Sequence, residues 1–410
     1  MTVVPLRRNR GYRLLWASQA CAEFGHNATT IAFPLLVLAI TGSTAASGLV
    51  LGTIATAQLV AGLPAGALAD RWNRKRILLS CEAAQFLAAG SLVTALLTGT
   101  ATVAHMVVVA AVLGTCTALF EPAEDATLAA LVPEDQLAGA VAANGARTSL
   151  GQLAGTAAGG FLFAAGRVLP FLVDALTHLV AFAALAFLRV PPRPGPPAAA
   201  GRLVPEMLAG LRWAWRQRMI RVTTIYAALL NLFFSAFYLV VIVLAQRRGV
   251  PAGEIGVMAA MLGVGGVAGA LAAPWLQRLL GPYVSIAATF WVLAVLTPLT
   301  ALARDGYLIG AIFAGMALLA PTANTTIVTR QLISTPDELR GRLSGVLSLL
   351  TGAAGAAGPV LGGLLAAAAP GTAAVLICAA GIAVVTVSVT ASRVLRDFPR
   401  TPVPAPGTTR

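Results

Sequence analysis

Long apolar runs, separated by short polar or charged segments, recur along the whole chain. Most of them approach or exceed the roughly 20 apolar residues that a helix needs to cross the hydrocarbon core of a bilayer. They are too long and too unbroken for the strands of a membrane barrel, which alternate over about 10 residues. The pattern predicts twelve membrane-spanning helices, at about 14–40, 44–69, 77–98, 103–119, 141–165, 169–188, 220–246, 254–278, 282–303, 306–330, 342–367 and 371–392.

A proline-rich segment divides these helices into two sets of six. Five prolines lie between positions 191 and 197, and prolines favour an extended linker over a helix. Trp213 and Trp215, with arginines around them, indicate a helix that lies on the membrane surface. We expect a six-helix bundle at 1–190, a cytoplasmic linker with the interfacial helix at 191–219, a second six-helix bundle at 220–393 and a disordered cytoplasmic tail at 394–410.

The two halves of the chain resemble each other. When the sequence is shifted by 203 positions, Pro133-Glu134-Asp135 falls on Pro336-Asp337-Glu338. The same shift superposes three glycines of each half, namely Gly155 on Gly358, Gly159 on Gly362 and Gly160 on Gly363. Because the matching set crosses both a loop and a helix, we interpret the halves as repeats with a site between them.

Composition and charge support a membrane protein and argue against a nucleic-acid partner. Of the 410 residues, 58% are hydrophobic and 10% are charged, whereas soluble domains carry about 25% charged residues. The net charge of +13 is distributed by topology, since 24 of the 28 Lys and Arg residues fall on one side of the twelve-helix arrangement. Cytoplasmic loops collect such residues, so both termini are expected in the cytoplasm.

The connection between the second and third predicted helices carries a dense group of charges. It reads Gly66-Ala67-Leu68-Ala69-Asp70-Arg71-Trp72-Asn73-Arg74-Lys75-Arg76. This stretch resembles the G-x-x-x-D-R-x-x-R-K-R signature of the major facilitator superfamily, with Asn73 where the family often has glycine. The matching residues are Gly66, Asp70, Arg71, Arg74, Lys75 and Arg76. An ordinary cytoplasmic loop explains the cations but not the placed glycine and aspartate.

The resemblance implies an all-α integral membrane protein of the major facilitator fold. Its twelve transmembrane helices would form two pseudo-symmetric six-helix bundles around a central cavity, and the charged connection would act in a gate. The gate partners expected at the same membrane face are Glu121, Glu124, Asp125, Arg147, Arg340 and Arg342. With Asp70 and Arg71 they would form ion pairs that hold the halves closed. The alternative is solvated loop charge, which contributes little.

Glycine motifs in the fifth and eleventh helices resemble a signature of drug:proton antiporters in the same superfamily. That signature is G-x-x-x-G-P-x-x-G-G, and the fifth helix has Thr156 in place of its proline. The motif residues are Gly151, Gly155, Gly159 and Gly160 in the fifth helix and Gly358, Pro359, Gly362 and Gly363 in the eleventh. Small residues and proline allow close packing and bending, so helix packing alone is an equal alternative.

Three ionisable residues inside predicted helices are candidates for proton coupling. Such groups are costly in a membrane and therefore serve as functional hypotheses. The candidates are Glu23, His26 and Asp174. The stretches 25–42 and 170–175 resemble the macrolide-efflux-like and siderophore-exporter-like (transmembrane secretion effector) subgroup, which often has an aspartate where this chain has His26. Polar groups lining a wet cavity are the alternative for Glu23 and His26, and a hydrogen-bonded anchor is the alternative for Asp174.

These patterns indicate a secondary transporter rather than an enzyme. The sequence contains no nucleotide-binding Gly-Lys-Ser/Thr loop, no metal-spaced His/Cys set and no hydrolase arrangement, so we expect no catalytic residue, cofactor or metal site. The expected function is proton-coupled export of an amphiphilic small molecule across a bacterial cell membrane by a monomer. Uptake or facilitated exchange of a small metabolite is the alternative. The expected partners are the substrate, protons and the lipid bilayer, without nucleic acid.

Overall fold

The computed structural model describes residues 5–190, 211–335, 337–369 and 371–396, and its long elements are all helices. Their bounds are α1 Arg10–Thr41, α2 Thr44–Arg71, α3 Arg74–Leu97, α4 Val103–Leu131, α5 Glu134–Ala165, α6 Leu169–Ala186, α7 Arg218–Arg247, α8 Ala252–Leu279, α9 Pro282–Leu302, α10 Gly306–Ala317, α11 Ala320–Ile333, α12 Asp337–Ala368 and α13 Ala373–Ala391. Residues 191–210 of the predicted linker at 191–219 and residues 397–410 of the predicted tail lie outside these residues.

Eleven helical segments of the described chain are long and apolar enough to span a membrane. One of them, Gly306–Gln331, combines α10 with most of α11. Helix α5 is not among the eleven, but it is 32 residues long and packs in the same bundle as α1. The described helices are thus consistent with the twelve that the apolar pattern predicts.

Three predicted helices differ from the structure, and the predicted tail needs a small revision. The fifth helix begins at Glu134 and not near residue 141. The fourth helix does not end near residue 119, because α4 continues through Pro122 to Leu131. The tenth predicted helix is interrupted between Ala317 and Ala320, and Pro321 lies in the first turn of α11, where its missing N–H costs no helical hydrogen bond. Residues 394–396 of the predicted disordered tail are helical, with Leu395 buried.

The helices pack in the same pattern within each half of the chain. In the first half α1 contacts α5 and α6, α2 contacts α4, and α3 contacts α6. In the second half α7 contacts α12 and α13, α8 contacts α10, and α9 contacts α13. The correspondence agrees with the repeat that the sequence shift predicts.

Close glycine contacts join the two bundles. Helix α2 packs on α12 where Gly48 faces Gly363, and α5 packs on α8 where Gly160 faces Gly256. A methyl group at any of these glycines would overlap the backbone of the facing helix. All four contacts lie toward one end of the molecule, which we call the loop 1–2 end because it contains the connection between α1 and α2.

The opposite end contains the connection between α2 and α3, and we call it the loop 2–3 end. A methyl group added at Gly66 of α2, Gly145 of α5 or Gly345 of α12 would meet no atom within 4 Å. Among the described residues, close glycine contacts between the bundles therefore occur toward the loop 1–2 end and not at these three positions.

The charge distribution leads to a prediction about topology. Reporter fusions at Gly195 and Gly249 should lie on opposite sides of the membrane, with Gly195 in the cytoplasm. A fusion at Gly99 is the matched control, because Gly99 and Gly249 both lie in connections at the loop 1–2 end. Reporter activity on the same side for Gly195 and Gly249 would contradict the twelve-helix topology.

Candidate functional site

A cavity of about 430 Å³ lies inside the first bundle, toward the loop 2–3 end, and we call it the ionisable cavity. Eight ionisable side chains line it, from five helices. They are Glu23, His26, Glu82, Glu121, Glu124, Asp125, Arg147 and His178. Ionisable groups at this depth are expensive to place, so their mutual contacts decide what the cavity can do.

Arg147 is the centre of a buried three-helix ion cluster. Its side chain is 4% exposed, and it donates to Glu124 Oε1 at 2.7 Å and to Glu23 Oε1 at 3.2 Å. Glu23 Oε1 also accepts a hydrogen bond from the hydroxyl of Thr148, at 2.8 Å. The cluster joins α5 to α4 and α1. Arg147 therefore lies inside the first bundle, not at the membrane face where the sequence analysis placed it.

A second buried chain of polar groups runs from α1 to α6 through α3. Gln19 Nε2 donates to Glu82 Oε1 at 2.9 Å, and the other Glu82 oxygen lies 2.6 Å from Nδ1 of His178. The second ring nitrogen of His178 lies 3.3 Å from Oδ1 of Asp174. Glu82, His178 and Asp174 are 1%, 2% and 0% exposed, respectively. The chain thus connects the cavity to a carboxylate that is fully enclosed.

Helix α1 reaches these groups because Gly25 allows it to approach α6. A methyl group at Gly25 would overlap Thr177 and come within 2.9 Å of the backbone of Asp174. His26, the next residue, lines the ionisable cavity, and its Nδ1 atom has no hydrogen-bond partner within the described residues. The sequence candidates Glu23, His26 and Asp174 are therefore brought into one region of the first bundle.

Sequence reasoning did not select Glu82 and His178 as coupling residues. A usable signal exists for both of them. Glu82 is an acid eight residues inside α3, and His178 follows Asp174 by four positions, which places both on one face of α6. Pairing between α3 and α6 cannot be derived from either spacing alone.

The charged connection between α2 and α3 anchors the neighbouring helices. Asn73 caps α3 by accepting a hydrogen bond from the N–H of Arg76, which accounts for asparagine at this position. Arg74 Nη1 donates to the carbonyl of Ala126 in α4 at 2.9 Å. Lys75 Nζ donates to the carbonyl of Ala186, at the end of α6, at 2.7 Å.

The gate differs from the expected arrangement in this conformation. Arg71 forms no ion pair with the α4 acids within the described residues, and Glu124 pairs with Arg147 instead. Glu121 and Asp125 are exposed in the cavity wall. The described pairs lie within the first bundle and do not join the halves. The side chains of Arg340 and Arg342 lie outside the described residues.

The glycine motifs determine helix packing in both halves. Gly151, Gly155 and Gly159 of α5 pack on α1 around Glu23 and Ala28. In the equivalent place, Gly358 and Gly362 of α12 pack on α7, where added methyl groups would overlap Ser235 and the backbone of Ala236. The last glycine of each motif, Gly160 or Gly363, contacts the opposite bundle. Helix α12 continues through Pro359 to Ala368.

A second cavity, of about 380 Å³, lies between the two bundles. It is on the loop 2–3 side of the glycine contacts and is bounded by α1, α2, α5, α7, α8 and α12. None of its described lining residues is charged. The polar side chains are Asn27, Thr30, Gln152, Thr156, Ser235 and Tyr238. We call it the central cavity.

Comparisons with known proteins agree with this architecture. A family model described as "Transmembrane secretion effector" matches residues 1–400. The multidrug efflux pump Tap of Mycolicibacterium fortuitum is 28% identical over 373 residues, which cover 85% of this chain and 87% of that protein. Tap of Mycobacterium tuberculosis H37Rv is 27% identical over 391 residues, which cover 88% of each chain.

Solved structures share the fold at low sequence identity. The nucleoside transporter NupG (D323A mutant) superposes with a TM-score of 0.77 at 12% identity, covering 93% of this chain and 98% of NupG. A bacterial homologue of the human lysosomal transporter Spinster, solved in an inward-facing and unoccupied conformation, gives a TM-score of 0.70 at 16% identity, covering 96% of this chain and 98% of that one. These comparisons confirm the predicted fold class and the resemblance to the transmembrane secretion effector subgroup.

Proposed function

Because the chain belongs to the transmembrane secretion effector family of major facilitator transporters, we propose that it exports an amphiphilic small molecule in exchange for protons. The relatives named multidrug efflux pumps support the direction of transport. The bacterial sources of those relatives support a location in a bacterial cell membrane. The observation that carries the proposal is the separation of an uncharged cavity between the bundles from an ionisable cavity inside one of them.

The central cavity is proposed to hold the substrate. A charged substrate that moved from water into this cavity would find no described residue of opposite charge. Burying an unpaired charge costs far more free energy than burying an apolar surface. The apolar lining, with hydroxyl and amide groups from α1, α5 and α7, instead suits an uncharged or weakly charged amphiphile. The ionisable cavity is proposed to hold the coupling protons, with Glu23, His26 and Asp174 as the sequence candidates.

Helices α1 and α5 are proposed to couple the two cavities. In α1, Glu23 and His26 face the ionisable cavity, whereas Asn27 lines the central one. In α5, Arg147 lines the ionisable cavity and Gln152 lines the central one. A change in either cavity therefore acts on helices that form part of the other. With the loop 2–3 end in the cytoplasm, we propose that the observed conformation corresponds to the inward-open state of an alternating-access cycle.

The proposed function is tested by accumulation of two probes in cells that express the protein. Chloramphenicol is uncharged and amphiphilic, and ethidium is a permanent cation. We expect cells to accumulate less chloramphenicol than vector controls, and a protonophore should remove the difference. Reduced accumulation that persists with the protonophore would contradict proton-driven export, and unchanged or increased accumulation would replace it with facilitated exchange or uptake. Stronger extrusion of ethidium than of chloramphenicol would contradict the assignment of an uncharged substrate site.

Asp70 provides a test of the proposed gate. Asp70→Asn should insert into the membrane normally and lose transport, because loss of the charge shifts the balance between inward- and outward-open states without changing a substrate contact. Coupling energies of about 1–3 kcal/mol between sites are typical, so a loss of about 5- to 150-fold is expected in the transport rate. Asp305→Asn is the matched control, because Asn retains the capping function that Asp305 has at α10. Equal rates in both variants would reduce the motif to a topology signal.

A further inference from the structure

We infer that Glu82, His178 and Asp174 form the relay that holds and moves the coupling proton. This inference rests on the proposed proton-coupled transport and assigns it to particular atoms. The three groups lie in line, with Glu82 Oε2 at 2.6 Å from His178 Nδ1 and His178 Nε2 at 3.3 Å from Asp174 Oδ1. Glu82 and His178 line the ionisable cavity, whereas Asp174 is fully buried and nearer the loop 1–2 end.

The charges of the first bundle favour bound protons. Its cluster contains four carboxylates, of Glu23, Glu82, Glu124 and Asp174, but one guanidinium, of Arg147. With His26 and His178 neutral and every carboxylate ionised, the net charge is −3, and with both imidazoles protonated it is still −1. Buried charge without compensation is strongly unfavourable, so uptake of protons by this cluster would reduce the cost of its negative charge.

The carboxylates differ in whether they can exchange a proton. Glu23 accepts hydrogen bonds from Arg147 and Thr148, and Glu124 accepts one from Arg147. Glu82 and Asp174 contact no described cation except the imidazole of His178, whose charge itself depends on a proton. The exchangeable proton is therefore assigned to Glu82, His178 and Asp174 rather than to Glu23.

The transfer step is balanced within the three groups. A protonated Asp174 carboxyl gives its proton to Nε2 of His178 while the Nδ1–H of the same ring gives its proton to Glu82. The step leaves Asp174 ionised, Glu82 protonated and the imidazole in its other neutral tautomer, so one proton has moved toward the loop 2–3 end, opposite to the exported substrate. The cycle closes when Glu82 releases its proton to the ionisable cavity, Asp174 takes up another from the loop 1–2 side and the ring returns to its first tautomer.

The two links of the relay differ in the observed conformation. Glu82 Oε2 lies 2.6 Å from His178 Nδ1, whereas His178 Nε2 lies 3.3 Å from Asp174 Oδ1 without well-formed hydrogen-bond geometry. In this state the proton is proposed to exchange with the cavity at the tighter link. If His178 and Asp174 come into hydrogen-bond contact in the state that is open at the loop 1–2 end, the proton has access from only one side of the membrane at a time.

Every helix packed against the relay contributes groups that affect its pH dependence. Helix α1 contributes Gln19, Glu23 and His26, α4 contributes Cys116 and Glu124, α5 contributes Arg147, and α3 adds Cys81 beside Glu82. Asp174 and His178 come from α6. Variants are therefore needed at the relay itself, with shape-conserving amides that leave the surrounding charges in place.

The experiment compares the parent protein with Glu82→Gln, Asp174→Asn and His178→Gln after purification. Glu134→Gln is the matched control, because Glu134 is exposed at the start of α5. Infrared difference spectra against pH should show a protonated-carboxyl band in the parent and in Glu134→Gln that is reduced in Glu82→Gln and in Asp174→Asn. This readout needs no substrate, and it reports protonation of these carboxyl groups independently of transport, which the flux measurement then tests.

The second readout is flux in proteoliposomes with chloramphenicol as the probe. Glu82→Gln and Asp174→Asn should lose probe-linked proton movement but retain downhill exchange of chloramphenicol, and Glu82→Asp should restore part of the coupling. If the parent couples and both amide variants couple equally well, the relay is wrong while the proposed function stands. If the parent moves chloramphenicol without protons, the proposed function fails. Absence of the infrared band in the parent overturns the relay independently of transport.

Discussion

Replacing Arg147 by glutamine should abolish transport and lower the free energy of unfolding by about 3–5 kcal/mol, the cost of breaking a buried ion pair from one side. Arg147 is nearly inaccessible and neutralises Glu23 and Glu124 from two other helices. Without the guanidinium, two carboxylates would remain unpaired in the bundle. The measurement is thermal unfolding of the purified variant, together with chloramphenicol transport.

A combined variant separates stability from function at this cluster. Arg147→Met with Glu23→Gln and Glu124→Gln removes all three charges, and neutral replacement of a buried ion cluster is often tolerated. We expect most of the stability to return without recovery of transport. Arg167→Gln is the control, because Arg167 is exposed in the connection between α5 and α6 and should change stability by no more than about 0.5 kcal/mol. If Arg147→Gln is as stable and active as Arg167→Gln, the cluster has neither role.

The combined variant Gly160→Ala and Gly363→Ala should open the loop 1–2 end and impair transport. Each added methyl group would overlap backbone of the opposite bundle, at Ala252 and Thr44 respectively. Overpacking of this kind costs about 1–3 kcal/mol per site. Since the overlap exists only where the bundles are in contact, the penalty favours the state in which this end is open. A bias of about 1–3 kcal/mol from one site alone changes an equilibrium by about 5- to 150-fold.

The opening is measured as a distance between spin labels at Gly99 and Gly249, in a background without the native cysteines. These glycines lie in connections of different bundles at the loop 1–2 end. The distance distribution should move to longer values in the double variant. Gly62→Ala with Gly266→Ala is the matched control, because a methyl group at either position meets no atom within 4 Å. An unchanged distribution in the Gly160 and Gly363 variant would remove these contacts from the account of gating.

The membrane helices were predictable because the bilayer sets their length. Apolar runs of about 20 residues are required whatever the neighbouring helices do, so the order of spans and the repeat of two halves follow from the sequence alone. The errors arose where local breaking signals were overridden. Pro122 lies inside α4 instead of ending it, with Phe120, Ala123 and Leu128 buried against neighbouring helices. The break between α10 and α11, just before Pro321, could not be predicted without knowing where α11 begins.

The candidate site was predictable in composition but not in pairing. Glu23, His26 and Asp174 are recognisable as ionisable groups in apolar helices, and they do approach one another. Arg147 was misplaced because the fifth helix was predicted to begin near residue 141, whereas α5 begins at Glu134. It lies four positions before Gly151, so it shares the glycine face that packs on α1. The four-residue spacing between Arg147 and Gly151 was the signal in the sequence that could have predicted the burial of Arg147.

The central claim of proton-coupled export is tested most directly by flux in proteoliposomes that contain the pH indicator pyranine. The purified parent protein is reconstituted, chloramphenicol is added on one side without an imposed pH gradient, and probe and proton movements are recorded together. The account predicts that protons move opposite to chloramphenicol and that an imposed proton gradient drives its accumulation against a concentration gradient. Chloramphenicol movement with no accompanying proton movement, and with no response to the imposed gradient, would contradict the account.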